Sequence, residues 1–273
     1  MEIHFLGTGS AFCFHNYQSN LLIKKNNHLL LVDAGGDLRF SLKDSGYCIQ
    51  DVDAIYISHL HNDHIGGMEF IALFTYFNPN CPPIKLFIHE NLVNTLWDNA
   101  LKAGLSSVQD KTLSLSDYFN VLSIPSSNAC FEWQNIHFKL IPTQHIHNGN
   151  QIIYTYGLMI HDRSLDYKVF LTGDTQFVPD MLQDAYCQAN TVIQDCETSE
   201  FKSSVHAHYL DNITLAPQIK AKTYLWHYQD NVVKDFDTWQ NRSLKDGFCG
   251  FISRGDCLRV SEDGISYSNS LSS

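Results

Sequence analysis

The sequence lacks the features of a membrane or exported protein. No apolar run approaches the roughly 20 residues that a membrane-spanning helix needs. The first six residues, Met1 to Leu6, resemble a strand and lack the basic residues and apolar stretch of an export signal. We therefore expect no membrane contact and a cytoplasmic location.

Paired cysteines are also lacking. The eight cysteines are scattered along the chain, and no two of them form a Cys-x-x-Cys pair. This spacing argues against a disulfide framework and fits a reducing compartment. We expect free thiols, most of them buried.

Positive charge is scarce. The chain has 18 Lys and Arg against 29 Asp and Glu, which gives a net charge of −11. This balance argues against a partner held mainly through phosphate contacts, so a large nucleic acid is not the expected ligand. It does not exclude a nucleotide substrate, because bound metal ions can dominate the local charge of a site.

The chain shows no linker, low-complexity block or tandem repeat, so we predict one domain over residues 1–273, with a polar tail at 266–273 that frays. Apolar runs bounded by Gly, Asn and Asp predict strands at 3–6, 19–24, 28–33, 54–58, 84–89, 118–124, 130–142, 152–160, 168–172, 191–194, 223–226, 250–253 and 258–260. Helices are predicted at 38–45, after Gly66-Gly67, over 92–101 and near 179–187, with a loop at 106–116. This order predicts sheets covered by helices.

The most informative segment runs from Ser58 to Gly67. It places His59, His61, Asp63 and His64 directly after an apolar strand. Imidazole and carboxylate are the ligands that suit Zn²⁺ and its neighbours in the first transition series. A strand that ends in a tight turn would aim His59 and His61 to one side and Asp63 and His64 at a second point. The segment therefore predicts two metal sites.

Four further ligand-type residues follow apolar strands in the same way. They are Asp33 after 29–32, His145 after Ile-Pro-Thr-Gln, Asp174 after Val-Phe-Leu-Thr-Gly, and His227 after Tyr-Leu-Trp. Ligands at the ends of several strands can converge on one place in a layered α/β fold. We expect these residues to join the histidine segment.

With these motifs the chain resembles the metallo-β-lactamase-fold hydrolases over nearly its whole length. The matching segments are FLGTGSA (5–11), VDAGGDLR (32–39), HLHNDH (59–64), TQH (143–145), LTGDT (171–175) and LWH (225–227). The resemblance implies an α/β fold in which two mixed β-sheets are flanked by helices, an αββα sandwich.

The resemblance also implies a role for each motif residue. His59, His61 and His145 would hold one metal; Asp63, His64 and His227 would hold the other; Asp174 would bridge them; and Asp33 would orient a ligand histidine. Asp63 is counted among the catalytic residues as well. The cofactors would be two divalent metal ions, with Zn²⁺ favoured and Mn²⁺ or Fe acceptable, and a hydroxide between them would be the nucleophile.

Two proposed site residues, His145 and His206, each have a rival histidine two residues further along the chain. His147 lies two residues after His145, and alternate residues of a strand face the same way, so either could reach the metal. We favour His145 because it follows the Pro-Thr-x-His pattern of the family. By resemblance to RNase Z-like members, Glu197 would support His206 as a general acid. His208 is the rival for that role. The simpler interpretation is that His206 and His208 both belong to a polar surface loop.

The subfamily is less sharply indicated. RNase Z enzymes carry a long arm between the third histidine and the bridging aspartate, whereas here the interval from His145 to Asp174 is only 29 residues. We therefore expect a phosphodiesterase that cleaves a small phosphodiester such as a cyclic nucleotide. The alternatives are an RNase Z-like tRNA 3′-processing endonuclease, a lactonase or thioesterase on the same site, and a non-catalytic metal-binding partner protein. The resemblance also suggests a homodimer.

Overall fold

Apolar strands build two large mixed β-sheets in the computed structural model, which describes residues 1–262 and 264–269. The strands are β1 (Glu2–Gly7), β2 (Asn20–Lys25), β3 (His28–Val32), β4 (Ala54–Ile57), β5 (Ile84–His89), β6 (Ser107–Val108), β7 (Lys111–Thr112), β8 (Phe119–Ile124), β9 (Cys130–Trp133), β10 (Ile136–Asn148), β11 (Gln151–Asp162), β12 (Tyr167–Leu171), β13 (Thr191–Asp195), β14 (Thr223–Trp226), β15 (Gly250–Phe251), β16 (Asp256–Ser261) and β17 (Gly264–Asn269).

Short helices fill the connections between the strands. They are α1 (Leu38–Asp44), α2 (Asn62–Ile65), α3 (Met68–Tyr76), α4 (Glu90–Thr95), α5 (Lys102–Leu105), α6 (Leu115–Tyr118), α7 (Pro179–Gln188), α8 (Tyr209–Asn212), α9 (Pro217–Lys220), α10 (Asp230–Lys234) and α11 (Phe236–Lys245). A π-helical turn, Leu96–Leu101, joins α4 to α5, and 3₁₀ turns lie at Ile49–Asp51 and Ser126–Asn128.

The first sheet has the strand order β17-β16-β1-β2-β3-β4-β5-β8, and the second has the order β15-β14-β13-β12-β11-β10-β9. Strands β3, β4, β5 and β8 are parallel, as are β12 to β15. Because the carboxyl ends of parallel strands meet at one edge of a sheet, each sheet gathers its strand-end residues on one side. The candidate ligands other than His145 follow those strand ends. His145 lies inside β10, so the expectation that it follows the end of a strand is wrong.

The apolar core has separate layers. Ile3, Phe5 and Phe138 belong to a cluster between the sheets. On the outer face of the first sheet, Ile55 belongs to a second cluster with Leu38 of α1 and other residues of α1 and α3. Further clusters pack α7 on β12 and β13, and α8, α10 and α11 on β14. Helices therefore cover both sheets, and the predicted αββα arrangement is confirmed.

The structure departs from the predicted elements in several places. The predicted strand at 130–142 is two strands joined by a turn at Gln134 and Asn135, which both have left-handed backbone angles. The predicted loop at 106–116 contains the small β6–β7 hairpin. The frayed tail is wrong as far as Asn269, because β17 pairs with β16 up to that residue. The rest of the predicted tail, 270–273, lies outside the described residues.

All eight cysteines are free, as expected. Only Cys196 and Cys257 are buried, so the expectation that most thiols would be buried is wrong. Among the described residues, the structure has no helix that is both long and apolar enough to cross a bilayer.

Candidate metal centre

The histidine segment begins where β4 leaves the first sheet. His59 lies just beyond the strand and is buried, and the ring centroids of His61 and His64 lie 4.7 and 4.1 Å from that of His59. Asp63 and His64 lie in the short helix α2, where both side chains are buried. The change from strand to helix brings the four side chains together, with the ligand atoms of His59 and His61 in one group and those of Asp63 and His64 in another, as predicted.

Asp33 fixes this segment from the end of the neighbouring strand β3. Its Oδ1 accepts a hydrogen bond from the Ser58 amide (2.8 Å), and its Oδ2 accepts from Ser58 Oγ (2.7 Å) and from His64 Nδ1 (2.8 Å). The backbone of Asp33 is left-handed, with φ +61°. Because Nδ1 of His64 is committed to Asp33, its Nε2 is the atom available to a ligand.

Gly35 allows the histidine segment to pack against the loop that follows β3. A Cβ at Gly35 would overlap the carbonyl oxygen of Asp63, whereas a Cβ at Gly36 would have no atom closer than 3.5 Å. The loop is held in place by the amide of Ala34, which donates to the carbonyl oxygen of His64 at 2.7 Å. The position of Asp63 therefore depends on the missing side chain at Gly35.

Gly35→Ala and Gly36→Ala form a matched pair that tests this packing. We expect Gly35→Ala to lower the free energy of unfolding by about 1–3 kcal/mol, the usual cost of overpacking, and to reduce bound metal. Gly36→Ala should stay within about 0.5 kcal/mol of the parent. Denaturant unfolding and metal analysis of both variants measure this. Equal behaviour of the two variants would contradict the proposed contact.

Asp174 lies at the centre of the cluster. It follows β12 in the second sheet and is buried. Four imidazole nitrogens lie within 3.8 Å of its Oδ2: Nε2 of His64 at 3.2 Å, of His227 at 3.4 Å, of His59 at 3.7 Å and of His145 at 3.8 Å. One carboxylate oxygen thus faces histidines from both sheets.

The ligand-type atoms around Asp174 form two groups, each with its atoms within 4.8 Å of one another. One group is His59, His61, His145 and Asp174, and the other is Asp63, His64, Asp174 and His227. These are the seven residues that the resemblance implied, and Asp174 is the member that the groups share. Each group could hold one metal ion.

The structure separates His145 from His147. His145 is buried, its Nδ1 donates to the carbonyl oxygen of Val205 (2.8 Å), and its Nε2 lies 3.1 Å from Nδ1 of His61. His147 is exposed. The pairing of β10 with β11 shifts between Gln144 and Ile146, and this bulge breaks the simple alternation that left the choice open. His145 is the one that joins the cluster.

The unpaired nitrogens of the cluster fit a metal site. Among the described residues, the buried side-chain atoms without a hydrogen-bond partner include Nε2 of His59, Nε2 of His64 and both ring nitrogens of His227. Buried polar atoms are rarely left without a partner in folded proteins. Imidazole and carboxylate are also the donor set that borderline divalent cations prefer.

The electrostatics of the cluster differ between the two groups, because the Asp174 carboxylate outweighs burial and raises the pKa of His64 and of His227. Burial opposes ionisation of Asp174, yet the imidazoles of His227, His64 and His59 hold the pKa of its carboxyl well below its usual range. Burial lowers the pKa of His59, and it also lowers the pKa of His61 and His145. These three imidazoles are therefore neutral near pH 7, which is the form that binds a metal.

His206 lies beside this cluster, but its carboxylate partner is not Glu197. Nδ1 of His206 donates to Oδ2 of Asp195 at 2.8 Å, whereas the Glu197 carboxylate accepts a hydrogen bond from the amide of Ser203 at 2.9 Å. Asp195 ends β13 at the site edge, while Glu197 lies in the next loop and forms a backbone bridge with His208. The prediction that Glu197 supports His206 is therefore wrong.

Asp195 is the candidate site residue that the sequence motifs did not identify. It is fully buried, and besides His206 it accepts from the amide of Thr175 (2.8 Å) and lies 3.3 Å from Nδ1 of His227. Burial lowers the pKa of His206, but the Asp195 carboxylate outweighs it and raises the pKa above its ordinary value. An aspartate at the end of an apolar strand was the signal for Asp33 and Asp174, and it applied equally to Asp195.

His208 has a structural role. Its Nδ1 accepts from the amide of Leu210 at 3.2 Å, which caps α8, and its Nε2 lies 3.0 Å from the carbonyl oxygen of Ser199. Both ring nitrogens are thus occupied by the backbone. His208 is not placed to donate a proton at the cluster.

A cavity of about 510 Å³ opens beside His59 and His61. Its wall includes Ile152, Ile153 and Tyr154 of β11, which are each more than one third exposed. Asn91 and Gln151 also line it. The volume lies in the range of about 300–1,000 Å³ that small-molecule sites occupy.

Comparison with known proteins identifies relatives over most of the chain. The family model described as anti-Pycsar protein Apyc1 matches residues 1–258. A protein of that name from Paenibacillus harenae is 33% identical over 244 residues, which are 89% of this chain and 94% of the relative. Another, from Bacillus phage BSP38, is 36% identical over 249 residues, which are 88% of this chain and 93% of the relative.

Solved structures agree with the fold. The metallo-β-lactamase fold protein YhfI from Bacillus subtilis superposes with a TM-score of 0.67 at 18% identity, covering 94% of this chain and 99% of that protein. The predicted metallo-β-lactamase fold is therefore confirmed.

Proposed function

Since the chain belongs to the anti-Pycsar Apyc1 family, we propose that it is a two-metal phosphodiesterase that hydrolyses small cyclic nucleotides, with cyclic pyrimidine nucleotides as the first class to test. One observation carries the proposal: Oδ2 of Asp174 lies within 3.8 Å of imidazole nitrogens from both ligand groups. A carboxylate shared between two such groups is what a bridging ligand of a two-metal hydrolase requires.

In this proposal each ligand group holds one cation. The residues are His59, His61, His145 and Asp174 for one cation, and Asp63, His64, Asp174 and His227 for the other. We infer Zn²⁺ as the resident metal because nitrogen and carboxylate donors without sulfur suit it, and Mn²⁺ or Fe²⁺ are acceptable replacements. When bound, the cations offset the negative charge of the phosphoryl group and make a water molecule a stronger nucleophile.

His206 supplies the proton in this scheme. Asp195 accepts the hydrogen bond from Nδ1 and raises the pKa of the imidazole, so Nε2 can carry a proton at neutral pH. When the ester P–O bond of the cyclic phosphate breaks, the leaving oxygen takes the proton from Nε2. Asp195 remains ionised because its other contacts, with Thr175 and His227, also favour the charged carboxylate.

The cavity beside His59 can accommodate the part of the nucleotide that lies outside the ligand cluster. With the phosphate at the ligand cluster, the base would lie against Tyr154 and its apolar neighbours. Aromatic and apolar side chains stack on the flat face of any base, and the amides of Asn91 and Gln151 can hydrogen-bond to its edge. The cavity is thus suited to a small ligand with one flat ring system.

The shape of the chain disfavours the tRNA-processing alternative. The interval between His145 and Asp174 is occupied by the end of β10 and by β11 and β12, with only a turn at Gly149-Asn150 between the first two. No long arm is present there to grip a folded RNA, and the net charge is −11. A lactonase would use the same cluster, so substrate tests must separate it.

A substrate panel tests the proposal. Purified protein with Zn²⁺ or Mn²⁺ is incubated with cyclic CMP, cyclic UMP, cyclic AMP and cyclic GMP, and also with a lactone, a thioester and a tRNA precursor. Chromatography should show linear nucleoside monophosphate from the cyclic nucleotides, and chelation should stop its formation. Turnover of the lactone or thioester alone would overturn the phosphodiester assignment. Metal binding without any turnover would instead support the non-catalytic partner protein.

Two further features stay proposals. We infer action in the cytoplasm, which the eight free cysteines support because thiols persist in a reducing compartment. We also infer a homodimer from the family resemblance. Light scattering at two protein concentrations distinguishes a dimer from a monomer.

A further inference from the structure

A second cluster of ligand-type side chains lies on the first sheet, apart from the Asp174 cluster. Oε2 of Glu2 is 2.9 Å from Nε2 of His4, and the same nitrogen is 3.8 Å from Sγ of Cys257. The ligand atoms of these three residues all lie within 4.8 Å of one another. They offer one oxygen, one nitrogen and one sulfur.

Strand pairing places the three side chains on one face. Glu2 and His4 are two residues apart on β1, and His4 is paired with Cys257 of the antiparallel strand β16. Their neighbours Ile3 and Leu258 belong to the cluster between the sheets, so these three side chains project from the opposite face. The arrangement therefore follows from the regular geometry of two strands rather than from a loop.

We propose that Glu2, His4 and Cys257 form a third metal site, which binds a single Zn²⁺ or a similar borderline divalent cation. For tetrahedral Zn²⁺, the usual bond lengths imply separations of about 3.3 Å between nitrogen and oxygen ligands and about 3.6 Å between sulfur and nitrogen. The observed 2.9 and 3.8 Å lie within a few tenths of an ångström of those values. Small rotations of the partly exposed Glu2 and His4 side chains would close the difference.

Arg259 orients the carboxylate of Glu2. Its Nε and Nη2 each lie 2.9 Å from Oε1 of Glu2, which leaves Oε2 directed at His4. A ligand carboxylate is commonly oriented by such an outer hydrogen bond. The positive charge of Arg259 repels a bound cation. We therefore expect this site to bind a cation less tightly than a site surrounded only by anionic groups.

The site is open to solvent on one side. The side chains of His4 and Glu2 are 19% and 24% exposed, whereas Cys257 is 5% exposed. A cation can therefore enter from solvent and keep a water as its fourth ligand. When Sγ binds the cation, the thiol proton passes to the buffer.

Cobalt substitution tests the proposal with a signal that the Asp174 cluster cannot give. That cluster contains only nitrogen and oxygen donors, so a thiolate-to-cobalt charge-transfer band in the near ultraviolet requires a cysteine ligand. Titration of the metal-free full chain with Co²⁺ should show this band and up to three bound equivalents. Cys257→Ser should reduce the band at least tenfold and leave two equivalents. Cys249→Ser, which removes a partly buried thiol outside this cluster, should leave the band unchanged.

His4→Gln gives a second test that does not touch the buried thiol. We expect it to weaken binding of the third Co²⁺ at least tenfold and to leave turnover of cyclic nucleotides unchanged. A band that persists in Cys257→Ser, or a parent protein that binds only two equivalents and shows no band, would overturn the proposal. The spectral readout does not depend on turnover, so its failure is distinct from failure of the proposed function.

Discussion

Replacing Asp174 by asparagine should lower kcat/KM on a cyclic nucleotide by roughly 1,000-fold or more, which corresponds to about 4 kcal/mol in the activation barrier. The substitution keeps the volume of the side chain but removes the charge at the oxygen that four imidazole nitrogens approach. Both ligand groups lose a member at once, because Asp174 is the residue they share. No other single substitution in the cluster has this property.

The measurement combines steady-state kinetics with metal analysis after dialysis. Asp174→Asn should retain fewer than two metal ions per chain, and Asp184→Asn should retain the parent content. Asp184 is an exposed aspartate of α7, so it controls for the loss of one negative charge. If Asp174→Asn kept both metals and its activity, Asp174 could not be the shared ligand.

The sequence was sufficient to predict the ligand cluster where each residue directly follows an apolar strand. Asp174 and His227 come after β12 and β14, which are separated by one strand in a parallel run, and parallel strands end at one edge. That rule needs only the strand assignment and the order of the strands. It therefore placed the metal-type residues without knowledge of any contact.

The same rule failed where the backbone departs from a regular strand. Asp195 and Glu197 are two residues apart, and alternation alone gives them the same direction. The choice between them depends on where β13 ends, because Glu197 has already joined the loop that bridges to His208. His145 and His147 posed the same problem, and a bulge decided it. Bulges and strand ends depend on neighbouring strands, which no local pattern contains.

The prediction of the fold from the sequence also fails at one place in the second sheet. Residues 130–142 contain strand-forming side chains on both sides of Gln134 and Asn135, so their pattern predicts one strand. Gln134 and Asn135 instead form a turn with left-handed backbone angles, which lets β9 fold back on β10. Asparagine tolerates that conformation better than most residues, but a single asparagine is too common to mark a turn by itself.

Replacing His206 by alanine should lower kcat on a cyclic nucleotide by about 10²- to 10⁴-fold, the usual contribution of a general acid. The ring of His206 lies between the two ligand groups, with its centroid 4.8 Å from that of His227 and 5.0 Å from that of His145. It makes its hydrogen bond with Asp195 rather than with Asp174. Metal content should therefore remain at the parent value.

The leaving group distinguishes a proton donor from a residue that only supports the fold. The leaving oxygen of a cyclic nucleotide needs a proton, whereas p-nitrophenolate leaves without one at neutral pH. His206→Ala should therefore lose much less activity on bis(p-nitrophenyl) phosphate than on a cyclic nucleotide. Asp195→Ala should impair both substrates, because Asp195 also contacts His227 and the amide of Thr175.

Metal analysis of His206→Ala decides between the two roles that the geometry permits. Asp195, His206 and His227 also lie within metal-ligand distance of one another, so loss of a metal ion in His206→Ala would make His206 a ligand and not the acid. His147→Ala is the matched control, since His147 is an exposed histidine outside all of these groups. Retained metal, a large loss on cyclic nucleotides and a small loss on the activated diester together identify His206 as the proton donor.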